Sequence, residues 1–198
     1  MSFTPLRALL LLSGAALSTA ASAHLGADLG SHSEIGFLDG LRHPLTGIDH
    51  LAAMLAVGFW SALTARRLWT APLAFATMLL VGTLFGLMGM TLPAVEPMIA
   101  VSLLALGLMV ALRTRLHAGL AATWVGAFAV FHGVAHGTEL MGSSTFWAPL
   151  LGLLISTVVL HMTGLAVGLA LRHHSQWWPR LAGAAVTLLG GFLLLQMI

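Results

Sequence analysis

The 198-residue chain contains no cysteine, which excludes disulfides, iron–sulfur clusters and thiolate zinc sites. Charge is almost as scarce: 7% of residues are charged, against about 25% in a soluble domain. The sequence pI of 11.2 reflects eight basic residues against six acids, too sparse for a patch that could pair with nucleic-acid phosphates. No nucleotide-binding motif and no HExxH zinc-protease motif is present. What fills the chain instead is apolar: 59% hydrophobic residues and a mean hydropathy of +0.98. Water is the wrong solvent for most of such a surface. Against that background ten histidines stand out, because histidine in lipid needs a task or a partner.

The order along the chain predicts an all-α, polytopic membrane bundle. Residues 1–23 read as a cleaved export signal: Arg7 supplies the positive start, Ala8 to Ala16 a short apolar core, and Ala21-Ser22-Ala23 a small-residue cleavage site. Residues 24–198 then form a single transmembrane domain. Residues 24–42 are polar and glycine-containing and read as a periplasmic lead-in. About six spans follow, near 46–64, 71–91, 97–112, 117–138, 145–171 and 178–197. The fifth is long enough to be tilted or to extend into water. If the spans alternate, Arg66, Arg67, Arg113, Arg115, Arg172 and Arg180 share one side, with only Arg42 opposite. The positive-inside rule makes that side cytoplasmic, in an inner membrane with the mature N-terminus periplasmic. All six acids fall toward the outer half. Glycines at helical spacing (Gly82, Gly86, Gly89; Gly126, Gly133, Gly137; Gly164, Gly168) signal close helix packing.

Two clusters carry chemistry. The first is His43-Pro44-Leu45-Thr46-Gly47-Ile48-Asp49-His50, with Met54 four residues on from His50 and on its face. Pro44 and Gly47 are expected to break or cap the chain before the first span. Carboxylate, imidazole and thioether together make a coordination set for a divalent transition metal; the bland alternative is an Asp cap beside a backbone-bonded histidine. The second is His132-Gly133-Val134-Ala135-His136-Gly137-Thr138-Glu139. Its three ligand-type side chains fall within about 60° of one helix face at the depth of Asp49 and His50. His161, nearer mid-membrane, is either a satisfied hydrogen-bonding residue, a further ligand or a proton acceptor. Cleavage at Ala23 would give His24 a free α-amine beside its imidazole, a two-nitrogen chelate that His32 could assist; an ordinary frayed terminus is the alternative. His117, His173 and His174 sit beside arginines and read as interfacial.

These two segments resemble the signatures of the HupE/UreJ family of nickel/cobalt permeases. The resemblance covers nearly the whole mature chain: export signal, initial histidine, six spans and His161 in the fifth. It implies uptake of Ni²⁺, in some members Co²⁺, as cargo rather than prosthetic group. Metallochaperones of hydrogenase or urease maturation would act downstream, and cobalamin synthesis is a further destination for the metal. Imidazole and carboxylate suit Ni²⁺, Co²⁺ and Zn²⁺ alike, so only the resemblance favours nickel. The expected function is therefore metal permeation and not catalysis, in a bilayer, without nucleic acid, in a chain that could form homo-oligomers. An accessory metal-binding subunit is the second reading, and an intramembrane metalloenzyme built on His132 and His136 the third. A divalent cation moving inward gains about 4.6 kcal/mol per 100 mV, enough for roughly a thousandfold accumulation without a coupling ion. The permeation reading requires the first and fourth spans to lie side by side.

Overall fold

The protein is described here by a computed structural model covering residues 35–141 and 145–197. The expected signal segment, His24 and His32 lie outside the described residues. The described residues form seven helices in order: α1 (Phe37–Thr46), α2 (Ile48–Thr64), α3 (Thr70–Leu87), α4 (Val95–Ala111), α5 (Ala118–Leu140), α6 (Trp147–Leu171) and α7 (Trp177–Leu195). Among the described residues all regular structure is helical. The chain is a polytopic helical bundle, as its composition predicts. α3, α5, α6 and α7 are long and apolar enough to cross a bilayer, and α1 with α2, bent by 80°, passes the same test as a pair, with the geometry of a broken span or a re-entrant loop. α4, at 17 residues, is apolar and at the short end of what crosses a bilayer. Leu73, Leu112 and Leu188 are 61%, 73% and 73% exposed, as an acyl-chain solvent permits.

Residues 37–46 give the end of the expected lead-in, 24–42, a definite helical form. They form α1, begun where the Gly36 amide donates to the Asp39 carboxylate at 2.8 Å. Pro44 lies inside this helix rather than breaking it. Gly47 is the true joint: its N–H donates to the His43 carbonyl at 3.0 Å and its own carbonyl accepts from Leu51 at 2.9 Å. One residue thus closes α1 and opens α2. α1 lies against the outer part of α6, Gly40 against the Pro149 backbone and Gly152 against the Phe37 carbonyl. This contact accounts for the extra length of α6, which continues past the core to support α1.

Backbone-to-backbone glycine contacts join the other pairs. α3 and α5 make the most extensive contact, Gly82 and Gly86 meeting Gly133 and Gly137. α2 and α6 join through Gly58, Gly164 and Gly168, and α4 and α7 through Gly107, Gly183 and Gly190. In lipid such approach supplies the dispersion contact that holds helices together. Gly89 differs from the packing role expected of it. It sits at φ +78° just beyond α3, and a Cβ there would meet only the Met141 sulfur, 4.0 Å away. Gly89→Ala should therefore cost about 1–2 kcal/mol through its left-handed backbone alone, read as a small drop in the thermal midpoint with metal binding intact.

Candidate metal centre

His50 stands in the first turn of α2, His136 in the last turns of α5, and His43 on α1. The bend at Gly47 turns α1 back so that His43 faces the other two. The ring centroids lie 5.6 Å (His43–His50), 4.7 Å (His43–His136) and 4.6 Å (His50–His136) apart. Each ring can offer one nitrogen, and the three nitrogens fall within 4.8 Å of one another. All three rings are buried, and the Nε2 atoms of all three have no hydrogen-bond partner. Buried polar atoms are normally satisfied, so three convergent orphans mark a place for a ligand. Two nitrogens on one ion at about 2.1 Å each stand no more than about 4.2 Å apart. Any pair near that 4.8 Å bound would have to close by more than half an ångström around a shared ion.

The acids orient the rings. Asp49 Oδ1 accepts from the His50 backbone N–H at 2.9 Å and lies 2.9 Å from His50 Nδ1. An ionised carboxylate only accepts, so Nδ1 carries the proton and the Nε2 lone pair is left for a metal. Asp49 is thereby placed behind His50 rather than in the triad. Glu139 Oε2 lies 3.6 Å from His136 Nδ1 and 3.7 Å from His43 Nε2, within reach of two members of the triad. Its side chain is 20% exposed, so it touches both the triad and the protein surface.

His132 is placed apart from the triad. Its ring contacts His50 at 5.0 Å, while Ser102 Oγ of α4 lies 3.0 Å from its Nε2. Ser102 donates its single proton to the Ile99 carbonyl at 2.7 Å, so it can only accept from His132. The proton of His132 therefore sits on Nε2, and its buried, unpartnered Nδ1 carries the lone pair. The sequence reading missed Ser102, because one serine in an apolar helix carries no pattern. Ser102→Ala should release the His132 tautomer and slow Ni²⁺ flux severalfold while leaving affinity at the triad unchanged. Proteoliposome uptake beside calorimetric titration measures both, and unchanged flux would remove Ser102 from the route.

Phe75 of α3 was also missed. It is fully buried and contacts both His132 (5.6 Å) and His161 (5.1 Å), so an aromatic ring separates the outer imidazoles from the deeper one. His161 Nε2 is buried without a hydrogen-bond partner, which departs from the satisfied-residue reading. Met54 is fully buried one turn beyond His50, within the apolar core. α2 and α5 face each other as the permeation reading requires, His50 against His132 and His136, although their backbones make no extensive contact. Their imidazoles fill the gap instead. His117 caps α5, accepting from the Leu120 amide at 3.2 Å, and His173 accepts from Arg172 at 3.0 Å in an exposed loop; neither joins the site.

The sequence profile described as HupE / UreJ protein matches residues 10–193. Protein HupE of Rhizobium leguminosarum bv. viciae is 40% identical over 185 residues, covering 92% of this chain and 94% of that protein. No solved structure matches the chain.

Proposed function

The chain belongs to the HupE/UreJ family, and from that premise we propose that it is a membrane permease for a divalent transition-metal ion, Ni²⁺ first and Co²⁺ second. One observation carries this reading: the imidazoles of His43, His50 and His136, from three different helices, each offer one nitrogen within 4.8 Å of the others, and each ring has a buried Nε2 without a hydrogen-bond partner. An all-imidazole set with carboxylates behind it is borderline-soft chemistry, suited to nickel, cobalt or zinc rather than to calcium or magnesium. It binds tightly enough to strip water and, lacking thiolate, loosely enough to release.

In this reading the ion arrives past Glu139, replaces water by the three imidazoles and passes His132. It then crosses the level of Phe75 to reach His161 and leaves at the arginine-rich end. That end is cytoplasmic by the positive-inside rule, the membrane is the inner membrane, and the metal serves hydrogenase or urease maturation. The chain catalyses no reaction in this account. Membrane potential alone drives the cation inward.

Reconstitution tests it. Proteoliposomes carrying the protein alone should take up ⁶³Ni²⁺ when the interior is made negative, and Asp49→Ala should reduce the rate at least tenfold at equal protein content. Binding of nickel without any flux would favour an accessory metal-binding subunit instead. The same flux in Asp49→Ala as in wild type would remove Asp49 from the route.

A further inference from the structure

At the end of the bundle opposite the histidines, a cavity of about 1010 Å³ opens between the α2–α3, α4–α5 and α6–α7 connections. Five arginines line it: Arg66 and Arg67, Arg113 and Arg115, and Arg172. No carboxylate does. The four described acids, Asp39, Asp49, Glu96 and Glu139, belong to α1 and to the helix ends at the other pole. Membrane orientation explains why arginines occupy this end. It does not require three separate loops to turn them toward one hollow, where like charges repel across a low-dielectric wall.

The loops are also held in place. The Trp60 indole, on the cavity wall, donates to the Thr114 carbonyl at 2.9 Å, fixing the segment that carries Arg113 and Arg115. Arg113 sits at φ +50°, a left-handed backbone that a non-glycine residue adopts at a cost. That backbone lets the chain reverse after α4 while Arg113 remains half-buried in the lining. A concave set of guanidiniums, four of them exposed and Arg113 half-buried, with no carboxylate in the lining, has the chemistry of an oxyanion receptor, since each planar fork matches two oxygens at once. The volume is that of a small-molecule site. The cavity lies at the helix ends, which a bilayer-spanning bundle brings to the headgroups, where phosphate is the abundant oxyanion.

We propose that this vestibule binds a multivalent phosphate-class oxyanion, either free or as a lipid headgroup. The proposal stands independently of the metal reading. Its occupant would neutralise a field that otherwise opposes any cation leaving the bundle at this end.

The test uses full-length protein in phosphatidylcholine nanodiscs, without metal, titrated with inorganic pyrophosphate by calorimetry. Wild type should bind, and Arg113→Gln/Arg115→Gln should bind at least tenfold more weakly. Arg42→Gln, at the opposite pole, should bind as wild type. Nanodiscs doped with phosphatidylglycerol separate the two sources. If a headgroup is the occupant, that lipid lowers the apparent pyrophosphate affinity and co-purifies with wild type more than with the double variant. If the anion is free, it does neither. A double variant binding pyrophosphate like wild type overturns the proposal, as does a wild type that takes up neither pyrophosphate nor the anionic lipid. A thermal midpoint in phosphatidylcholine verifies folding, and Arg172→Gln, in an exposed loop, replaces the double variant if that fails to fold.

Discussion

His136→Ala should weaken nickel binding by more than a hundredfold and abolish uptake while the protein stays in the membrane. The imidazole is 2% exposed, and its ring stands 4.7 Å from that of His43 and 4.6 Å from that of His50. Removing it leaves two rings, from α1 and α2, that α5 no longer completes. Loss of a residue behind a metal ligand typically costs 10–100-fold in affinity, and loss of a ligand itself should exceed that. His173→Ala provides the contrast: its ring lies in an exposed loop and should leave binding unchanged. Calorimetry on the two purified variants reads both. Equal affinities would mean that the buried imidazoles hold no metal.

Gly133→Leu should have the largest effect on stability. A Cβ at Gly133 would collide with the Leu79 carbonyl and crowd the Thr83 amide and the Gly82 Cα, all backbone. Backbone cannot yield as a side chain can, so α3 and α5 must separate, at more than the ~1–3 kcal/mol typical of overpacking. The same separation would displace Phe75 and both α5 histidines, so nickel binding should fall with stability. At Gly126, on the same helix, a Cβ would press on the flexible Met78 side chain, 3.0 Å away, and reach the Ala74 carbonyl only at an ordinary 3.9 Å. Gly126→Ala should therefore stay within about 1 kcal/mol of wild type. Thermal unfolding in detergent, followed by helical circular dichroism, distinguishes them. Comparable losses in the two variants would show that the glycine stripe is not what joins these helices.

Long apolar runs made the helices that can span legible, because in lipid a helix must satisfy all its own backbone groups and length alone marks it; against the expected six, four are long enough and the bent α1–α2 pair is a fifth candidate. The expected segment 117–138 became Ala118–Leu140, and 145–171 became Trp147–Leu171. Helix α1 was hidden because Gly40, Pro44, Asp39 and Arg42 make 37–46 look like a polar linker. Its helical state comes from contact with α6 through Gly40 and Gly152, a tertiary effect that periodicity does not record. The metal-type residues were legible as residue types at helical spacing, but their division of labour was not. The shared face of His132, His136 and Glu139 suggested one set of ligands. In space His136 and Glu139 meet His43 and His50, whereas His132 is tied to Ser102. Ser102 and Phe75 left no trace in the sequence, since a lone serine or phenylalanine in an apolar helix is ordinary until its neighbours are known. Arg113 and its companions were legible as topological charges, and only the fold shows that they surround one cavity.

The most direct measurement is the nickel K-edge absorption spectrum of the purified, nickel-loaded protein. Three histidine rings around one ion predict a nitrogen/oxygen first shell with strong imidazole multiple scattering, reduced by about a third in His50→Ala. A shell of oxygens without that scattering, or a spectrum that His50→Ala leaves unaltered, would contradict the account.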